Sequence, residues 1–251
     1  MHRFFIKKEN INKNRVKITG EDYNHIVNSL RLKTGDKIVV CCKNGIDYTT
    51  VLKQFDKKNK VVKGNIIEQK VNKSEPEVNI ELAQAIPKDR KMELIAEKCT
   101  EIGVKVFIPL ITSRTVVKLS NKKKNKRINR WQRIAEAAAK QSQRGIVPSV
   151  KDIKNIQELI TCIDSYDLVL LLWTGEKSNS IHDLLTKIEL NNISDILAII
   201  GPEGGFTDKE VNSLSDNNKC FPVNLGSRIL RTETAGLVVS SIILYEFQEF
   251  A

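Results

Sequence analysis

The stretch Ile196–Phe206 constrains the fold of this chain most strongly, because an apolar run ends abruptly in a glycine-rich loop. The run Ile196–Ile200 has the length of a buried strand, and the loop that follows reads GPEGG. Thr207, with Glu210 three residues later, predicts a capping box at the start of a helix. Glycines let backbone N–H and C=O groups approach a ligand closely. We therefore predict a strand, a glycine loop and a helix, with a flat, polar small molecule bound at the loop.

A second stretch near the C-terminus repeats this plan. Phe221–Leu225 is a predicted strand, Gly226–Arg231 a loop, and a helix follows from about Thr232 to Phe247. We expect both loops to line one pocket, although each taken alone is also compatible with an ordinary tight turn. Neither loop matches a P-loop or a dinucleotide-binding fingerprint.

The N-terminal part of the chain has the pattern of a small β-barrel. One helix interrupts its strands, with Thr19 and Asp22 resembling a cap. The predicted strands are Arg3–Ile6, Arg15–Ile18, Lys37–Cys42, Tyr48–Phe55 and Lys60–Glu68. The polar, proline-containing stretch Gln69–Glu77 marks a boundary, and we predict domains of residues 1–72 and 73–251.

After that boundary, predicted strands alternate with helices, which indicates an α/β domain with a mostly parallel sheet covered on both faces. The strands are Val78–Ile86, Val104–Leu110, Asp167–Trp173, Ile196–Ile200 and Phe221–Leu225, and the helices include Lys88–Ile102, Ile153–Ile163 and Ile181–Ile188. Ligands of such sheets bind at the carboxyl ends of strands. Both loops described above, and Thr174–Glu176, lie at such ends.

The charge distribution indicates a polyanionic partner. The chain has 41 basic and 30 acidic residues, a net charge of +11. No acidic residue occurs between Glu101 and Glu136, while the basic residues there are Lys105, Arg114, Lys118, Lys122, Lys123, Lys124, Lys126, Arg127, Arg130 and Arg133. We predict a loop, Lys122–Lys126, leading into a helix that contacts RNA phosphates. A solvated surface is the alternative for each lysine alone.

The remaining composition argues against metal, membrane and disulfide chemistry. The five cysteines show no C-x-x-C spacing and the three histidines are far apart in sequence. No apolar run approaches the about 18 residues of a membrane span. We expect a cytoplasmic protein with reduced, mostly buried cysteines, no metal and no membrane contact.

Several motifs in this order resemble one family. They are HRFF at His2–Phe5, LRLKTGD at Leu30–Asp36, EKCTEIGV at Glu97–Val104, RWQRIAEAAAKQSQR at Arg130–Arg144, GPEGG at Gly201–Gly205 and LGSRILRTETA at Leu225–Ala235. Together they cover nearly the whole chain. The sequence resembles the SPOUT-class methyltransferases, and specifically the ribosomal RNA small subunit methyltransferase E family.

The resemblance implies an N-terminal PUA-like β-barrel, a C-terminal SPOUT α/β domain with a trefoil knot, and a homodimer. It also implies S-adenosylmethionine as methyl donor and N3 of a uridine in 16S rRNA of the small ribosomal subunit as acceptor. The cofactor-binding residues it implies are Leu172, Trp173, Thr174, Gly175, Ile200, Gly201, Pro202, Glu203, Gly204, Gly205, Leu225, Gly226, Ile229 and Leu230. Trp173 and Thr174 depart from the plainer aliphatic and polar pair expected in the first loop.

Basic residues along the chain are the predicted RNA contacts. They are Arg3, Arg31, Arg114, Lys122, Lys123, Lys124, Arg127, Arg130, Arg144 and Arg228.

Methylation of a uridine N3 requires loss of the imide proton and stabilisation of the resulting negative charge. We predict that Arg231 donates to a uracil oxygen and that Glu233 accepts the proton or orients the arginine. The alternative for Glu233 is a helix-start carboxylate favoured by the macrodipole. Glu203 is predicted to hold its loop by accepting backbone N–H bonds.

The last helix is apolar around more than one face, which indicates that it is buried on several sides. A crowded monomer core would explain this pattern, and the family resemblance implies instead a dimer interface through residues such as Val239 and Ile243. Two other functions remain open: a SPOUT enzyme acting on a ribose 2′-hydroxyl or on tRNA, and a non-enzymatic RNA-binding assembly factor.

Overall fold

The computed structural model describes residues 1–42, 45–117, 120–175 and 178–249. Lys118 and Glu176, both named above, lie outside these residues. The chain divides into two compact units. The first contains Met1–Glu75 together with Ala139–Val147, and the second contains Pro76–Ala138 and Pro148–Ala251.

The first unit is built on a six-stranded sheet within the described residues. Its strands are β1 Arg3–Phe5, β2 Ile11–Asn12, β3 Arg15–Ile18, β4 Lys37–Cys41, β5 Ile46–Asp56 and β6 Val61–Val71. They pair in the order β1-β4-β5-β6-β3-β2, and β1 runs parallel to β4 while the other pairs are antiparallel. Alternate residues point inward, so that Val16 and Ile18 are buried and Arg15 and Lys17 are exposed.

The predicted helix of this unit is present but is not capped as expected. Thr19 is the N-cap residue of α1, Gly20–Asn24, yet its side chain makes no capping hydrogen bond. The helix continues as a π-helical turn, His25–Ser29, which buries Ile26 in the core of the unit.

The second unit contains an eight-stranded sheet in which every pairing of the described strands is parallel. Its strands are β7 Asn79–Ala85, β8 Val106–Ile111, β9 Ser149–Val150, β10 Lys154–Asn155, β11 Leu168–Leu172, β12 Asn179–Ser180, β13 Asp195–Ile200 and β14 Cys220–Asn224. The order is β10-β8-β7-β13-β11-β14-β12, with β9 also paired to β8. This arrangement confirms the predicted α/β class.

Both faces of this sheet are buried, which explains the continuous apolar runs in its strands. Along β11, Leu168 and Leu170 pack in one hydrophobic cluster, whereas Val169 and Leu171 pack in another. Because successive side chains of a strand point to opposite faces, one short run of sequence supplies two cores.

The helices of the second unit are α2 Lys91–Ile102, α3 Asn121–Gln141, α4 Ile156–Ile160, α5 Ile181–Leu185, α6 Asp208–Ser215 and α7 Thr232–Glu246. The prediction that Lys122–Lys126 form a loop is wrong, because α3 already begins at Asn121. Lysine is a good helix former, and the propensity of this segment outweighs the unfavourable position of cations at a helix start. Helix α4 begins later than predicted, at Ile156, because Asn155 and Glu158 form a capping box there, and it ends at Ile160.

Helix α7 is buried on several sides by its own unit. Val239 and Ile243 have no exposed surface and belong to the main hydrophobic cluster. A Cβ added to Gly236 would lie 3.2 Å from Leu82, so the helix approaches β7 closely. The expectation that Val239 and Ile243 form a dimer interface is therefore wrong, since both are core residues of the single chain.

Candidate active site

A cavity of about 540 Å³ lies at the carboxyl ends of β11, β13 and β14. Parallel strands end at the same edge of a sheet, so the loops that follow them meet there. The residues that line it are Lys91, Arg114, Leu172, Trp173, Thr174, Ile200, Gly201, Pro202, Glu203, Gly204, Gly205, Phe206, Val223, Asn224, Leu225, Gly226, Arg228, Ile229, Leu230, Arg231, Thr232 and Ala235. The expectation that both glycine loops line one pocket is confirmed.

The GPEGG loop after β13 closes as a tight turn. The N–H of Gly205 donates to the carbonyl of Pro202 at 2.9 Å, and Gly205 has a φ of +68°, a conformation that favours glycine. The predicted capping box follows at once. Glu210 Oε2 accepts the N–H of Thr207 at 2.9 Å, and Thr207 Oγ1 accepts the N–H of Glu210 at 3.3 Å.

The side chain of Arg114 holds the GPEGG loop by hydrogen bonds to its backbone. Its Nη1 donates to the carbonyls of Gly204 at 2.8 Å and of Phe206 at 3.1 Å. Arg114 was predicted to contact RNA, but its guanidinium group is used here to order the glycine loop, and it lines the cavity.

The loop after β11 is shaped by a tryptophan. The N–H of Trp173 donates to the carbonyl of Val223 at 2.9 Å, which ties the loop to β14. The indole ring lies over Gly175, where an added Cβ would come within 2.1 Å of it. Gly175 thus makes room for Trp173 and is not among the residues that line the cavity.

The loop after β14 is the most exposed wall of the cavity. Gly226 has a φ of +97°, and its N–H donates to Asn224 Oδ1 at 3.1 Å. Ile229, a predicted cofactor contact, lines the cavity but is 87% exposed. Arg228 and Arg231 are exposed on the same loop.

A buried hydrogen-bond chain joins the start of α7 to the glycine loop. Thr232 Oγ1 donates to the carbonyl of Gly201 at 2.7 Å and accepts from Nε2 of Gln84 at 2.8 Å. Gln84 has no exposed surface. Neither Gln84 nor Thr232 was predicted as a site residue, although an amide within an apolar strand is a signal that could have identified the first.

Lys91 connects two carboxylates at the edge of the cavity. Its Nζ lies 3.3 Å from Glu203 Oε1 and 3.4 Å from Glu233 Oε2. Glu203 Oε1 also accepts the N–H of Lys88 at 3.1 Å, as its predicted loop-holding role requires. Glu233 pairs with Lys91 and is itself not among the lining residues. Sequence reasoning missed Lys91, since a lysine at a helix start carries no distinctive signal.

These charges shift two pKa values. Burial works to raise the pKa of Glu203, but backbone hydrogen bonds and the Lys91 ammonium outweigh it and lower that pKa below its usual value. Desolvation works to lower the pKa of Lys91, but its hydrogen bond to Glu203 and the nearby negative charge of Glu233 outweigh it and raise that pKa. Lys91 and Glu203 are therefore expected to carry their charges at neutral pH.

Two of the predicted RNA contacts are buried. Arg144 is 2% exposed, and its guanidinium group donates to Glu75 at 2.7 and 3.3 Å. Arg3 is 8% exposed and binds Asp47 at 2.6 and 2.7 Å. These guanidinium groups are already paired inside the first unit. The prediction that Arg3 and Arg144 contact RNA is therefore wrong.

The other predicted basic residues lie on the surface. Arg31, Lys122, Lys123, Arg130 and Arg228 are exposed, whereas Lys124 and Arg127 are half-buried. Arg130 pairs with Glu93 at 2.8 Å.

Neither a membrane span nor a metal cluster emerges from the described residues. No helix among them is long and apolar enough to cross a membrane. No group of three or more His, Cys, Asp or Glu side chains in those residues could hold a metal ion. Cys41, Cys99 and Cys220 are buried, and Cys42 and Cys162 are half-buried.

Comparison with known proteins defines the class first. The family model for the RNA methyltransferase domain matches residues 74–244, and the model for the RNA methyltransferase PUA domain matches residues 18–63. The chain therefore belongs to the class of RNA methyltransferases with a PUA-like N-terminal domain.

Individual relatives narrow the class to a family. The ribosomal RNA small subunit methyltransferase E of Bacillus subtilis is 36% identical over 98% of this chain and 97% of its own. That of Synechocystis is 31% identical over 94% of this chain and 75% of its own. The chain belongs to the ribosomal RNA small subunit methyltransferase E family.

Solved structures agree. The ribosomal RNA small subunit methyltransferase E of Neisseria gonorrhoeae, bound to S-adenosyl methionine, is 27% identical with a TM-score of 0.84 and covers 98% of this chain and 97% of its own. A putative methyltransferase of Legionella pneumophila in complex with the cofactor SAM is 28% identical, also with a TM-score of 0.84, and covers 97% of this chain and 96% of its own.

Proposed function

We propose that this protein uses S-adenosylmethionine to methylate N3 of a uridine in the 16S rRNA of the small ribosomal subunit. The observation that carries the proposal is the cavity formed where the loops after β11, β13 and β14 meet. Relatives of the same family that are structurally similar over nearly the full chain bind this cofactor, and this cavity offers it a place.

The lining suits the cofactor in size and chemistry. About 540 Å³ falls within the usual range of small-molecule sites. Leu172, Ile200, Leu225 and Leu230 supply apolar walls, and the glycine loops expose backbone groups for hydrogen bonding to polar edges. When bound, S-adenosylmethionine supplies a methyl carbon on a sulfonium, which bonds to the N3 lone pair while the carbon–sulfur bond breaks and its electron pair stays on sulfur.

The residues of the chain have to manage the proton and the charge. In our proposal Glu233 accepts the N3 proton, and Arg231 donates to a uracil oxygen on which negative charge develops. Arg231 lines the cavity and is exposed toward solvent, where a base can enter. Because N3 lies on the Watson–Crick edge, the target uridine must be unpaired when it reaches the cavity.

The RNA-binding surface that we propose lies on α3 and the last loop. Lys122, Lys123 and Arg130 are exposed on the helix, and Arg228 is exposed beside the cavity. Such contacts orient the RNA backbone and give salt dependence without reading sequence. Sequence choice would then come from the cavity.

We also infer a homodimer that uses the outer side of α7. Leu237, Val238 and Ile242 are half-buried, and Tyr245 is 71% exposed, so this side of the helix carries apolar surface that a second copy would cover. Sedimentation of the purified protein checks this.

The trefoil knot and the domain limits 1–72 and 73–251 stay predictions.

The deciding experiment maps the methyl mark. Purified protein, S-adenosylmethionine carrying a labelled methyl group, and either free 16S rRNA or small subunits from cells lacking this protein are incubated, and nuclease digests are analysed by mass spectrometry. We expect one uridine methylated on its base at N3. A methyl group on a ribose, or on tRNA only, would replace the proposal with the second function named above. Calorimetry without any heat of specific cofactor binding would leave the assembly-factor role.

A further inference from the structure

Lys91 is the one charged side chain of α2 that lines the cavity in the part of the chain that the structure describes. It stands at the first position of the helix, and its ammonium contacts carboxylates from two other elements. Glu203 belongs to the glycine loop after β13, and Glu233 belongs to the first turn of α7. One cation therefore ties together the three elements that surround this side of the site.

Glu233 depends on this contact for its charge balance. Its side chain is 13% exposed, and Oε2 is buried without a hydrogen-bond partner in the described residues. The Lys91 ammonium, 3.4 Å away, is the charge that compensates this oxygen. A buried carboxylate without such compensation is unfavourable. Glu233 does not itself line the cavity, whereas Lys91 does.

We propose that Lys91 is a positioning residue for methyl transfer. It holds the Glu233 carboxylate beside the GPEGG loop so that this carboxylate can accept the uridine proton. This role rests on the function proposed above. Lys91 itself needs no change of protonation state, because its task is to fix two carboxylates in one arrangement. It acts on the chemical step and leaves the apolar walls of the cofactor cavity in place.

The same helix contains a matched control. Lys98 also contacts two carboxylates, Glu97 at 2.8 Å and Glu101 at 2.9 Å, but all three residues lie on α2 and the Lys98 side chain is 41% exposed. Lys98→Met therefore removes one lysine and two ion pairs from α2 with no effect on the cavity. Exposed pairs of this kind contribute little to stability.

The test compares Lys91→Met, Lys91→Arg and Lys98→Met with the wild type. For each, kcat is measured at saturating cofactor and small subunits, the cofactor Kd by calorimetry, and the melting temperature by calorimetric scan. We expect Lys91→Met to lower kcat by about 10- to 100-fold, a part of what a general base contributes, with cofactor Kd changed by less than about threefold. Lys91→Arg, which keeps the cation, should recover part of the loss, and Lys98→Met should match the wild type.

A double-mutant cycle separates positioning from general damage. If Lys91 acts through Glu233, then Lys91→Met added to Glu233→Gln lowers kcat little further, because the effects of coupled residues do not add. If the wild type is active and Lys91→Met is as active as Lys98→Met, the positioning role of Lys91 is overturned while the proposed function is not. The role of Lys91 is also overturned if the effects of Lys91→Met and Glu233→Gln on kcat are fully additive. It is likewise overturned if Lys91→Met weakens cofactor binding by the same factor by which it lowers activity. A wild type that methylates nothing overturns the proposed function and this role together.

Discussion

At the scale of single residues, we expect the two arginines of the loop after β14 to divide the recognition of the substrate between them. Both line the cavity and both are exposed. Arg231 is the N-cap residue of α7 and directly precedes Thr232, whose hydroxyl is fixed to Gly201 at 2.7 Å. Arg228 lies three residues earlier, in the open part of the loop. The anchored position suits contact with the reacting base, and the open one suits a phosphate.

We expect Arg231→Ala to lower kcat by about 100- to 1000-fold, because it removes a preorganised donor to the charge that develops on uracil. Arg228→Ala should instead raise KM for the small subunit and leave kcat nearly unchanged. Steady-state kinetics on both variants checks this division. Equal effects on kcat would contradict it.

Asp47 makes the stability of the first unit sensitive to acid. Its burial works to raise the pKa, but hydrogen bonds from Arg3, Cys41 and Asn72 outweigh this and lower the pKa below 3.8. A carboxylate with a lowered folded-state pKa stabilises the protein above its unfolded-state pKa and loses that contribution as pH falls through the folded value.

We therefore predict that the gap in unfolding free energy between wild type and Asp47→Asn is constant from neutral pH down to about pH 5 and narrows below about pH 4. Urea unfolding at a series of pH values measures it. Glu9→Gln is the control, since Glu9 lies in an exposed pair with Lys7 whose side chains are 72% and 81% exposed. A gap that does not change with pH would rule out the pairing of Asp47 as the cause.

At the scale of elements, the two ends of helix α3 differ in charge and belong to different units of the chain. Its first turns carry Lys122, Lys123 and Lys124, whereas its last residues belong with Ala139–Val147 to the first unit. That returning segment is held by Glu75, which accepts from the side chain of Arg144 and, at 2.8 and 3.1 Å, from the N–H groups of Gly145 and Ile146. The first unit therefore includes a piece of chain from far beyond residue 75.

Removing the Arg144 side chain should lower the stability of the protein strongly, because the ion pair between Arg144 and Glu75 is buried. We expect Arg144→Met to destabilise the protein by about 3–5 kcal/mol, since it leaves the Glu75 carboxylate without its cation. Arg130→Met breaks the pair between Arg130 of α3 and Glu93 of α2, in which the arginine side chain is 54% exposed, and should cost at most about 1 kcal/mol. Urea denaturation of both variants gives the comparison, and similar losses would refute it.

At the scale of the whole molecule, the net charge of +11 predicts strong, salt-dependent binding to rRNA. If the exposed start of α3 contacts phosphates, changing Lys122, Lys123 and Lys124 to glutamine should reduce the slope of log affinity against log salt by about 2–3. Changing Lys151, Lys187 and Lys209, which are exposed elsewhere on the chain, removes the same charge as a control. Filter-binding titrations on 16S rRNA over a range of salt measure both, and equal slopes for the two triple variants would argue against a localised surface.

Much of this molecule was predictable from local patterns. The parallel sheet, the capping box at Thr207 and the meeting of both glycine loops in one cavity all follow from signals within about ten residues. The start of α3 was misplaced because consecutive lysines give no hydrophobic period, and the core placement of Val239 and Ile243 was missed because a broad apolar helix fits a monomer core and a dimer interface equally well.

The sequence by itself determined the class of fold, the edge of the sheet at which the cavity lies, and the family, because apolar periodicity and turn chemistry are local properties of the chain. Only the tertiary structure decided which charges are available and which are already paired. Arg3 and Arg144 read as surface cations but lie buried against Asp47 and Glu75, and Lys91 read as an ordinary helix residue but joins Glu203 to Glu233. An ion pair between residues 44 or more positions apart leaves no trace in either segment, since its energy depends on distance and burial after folding.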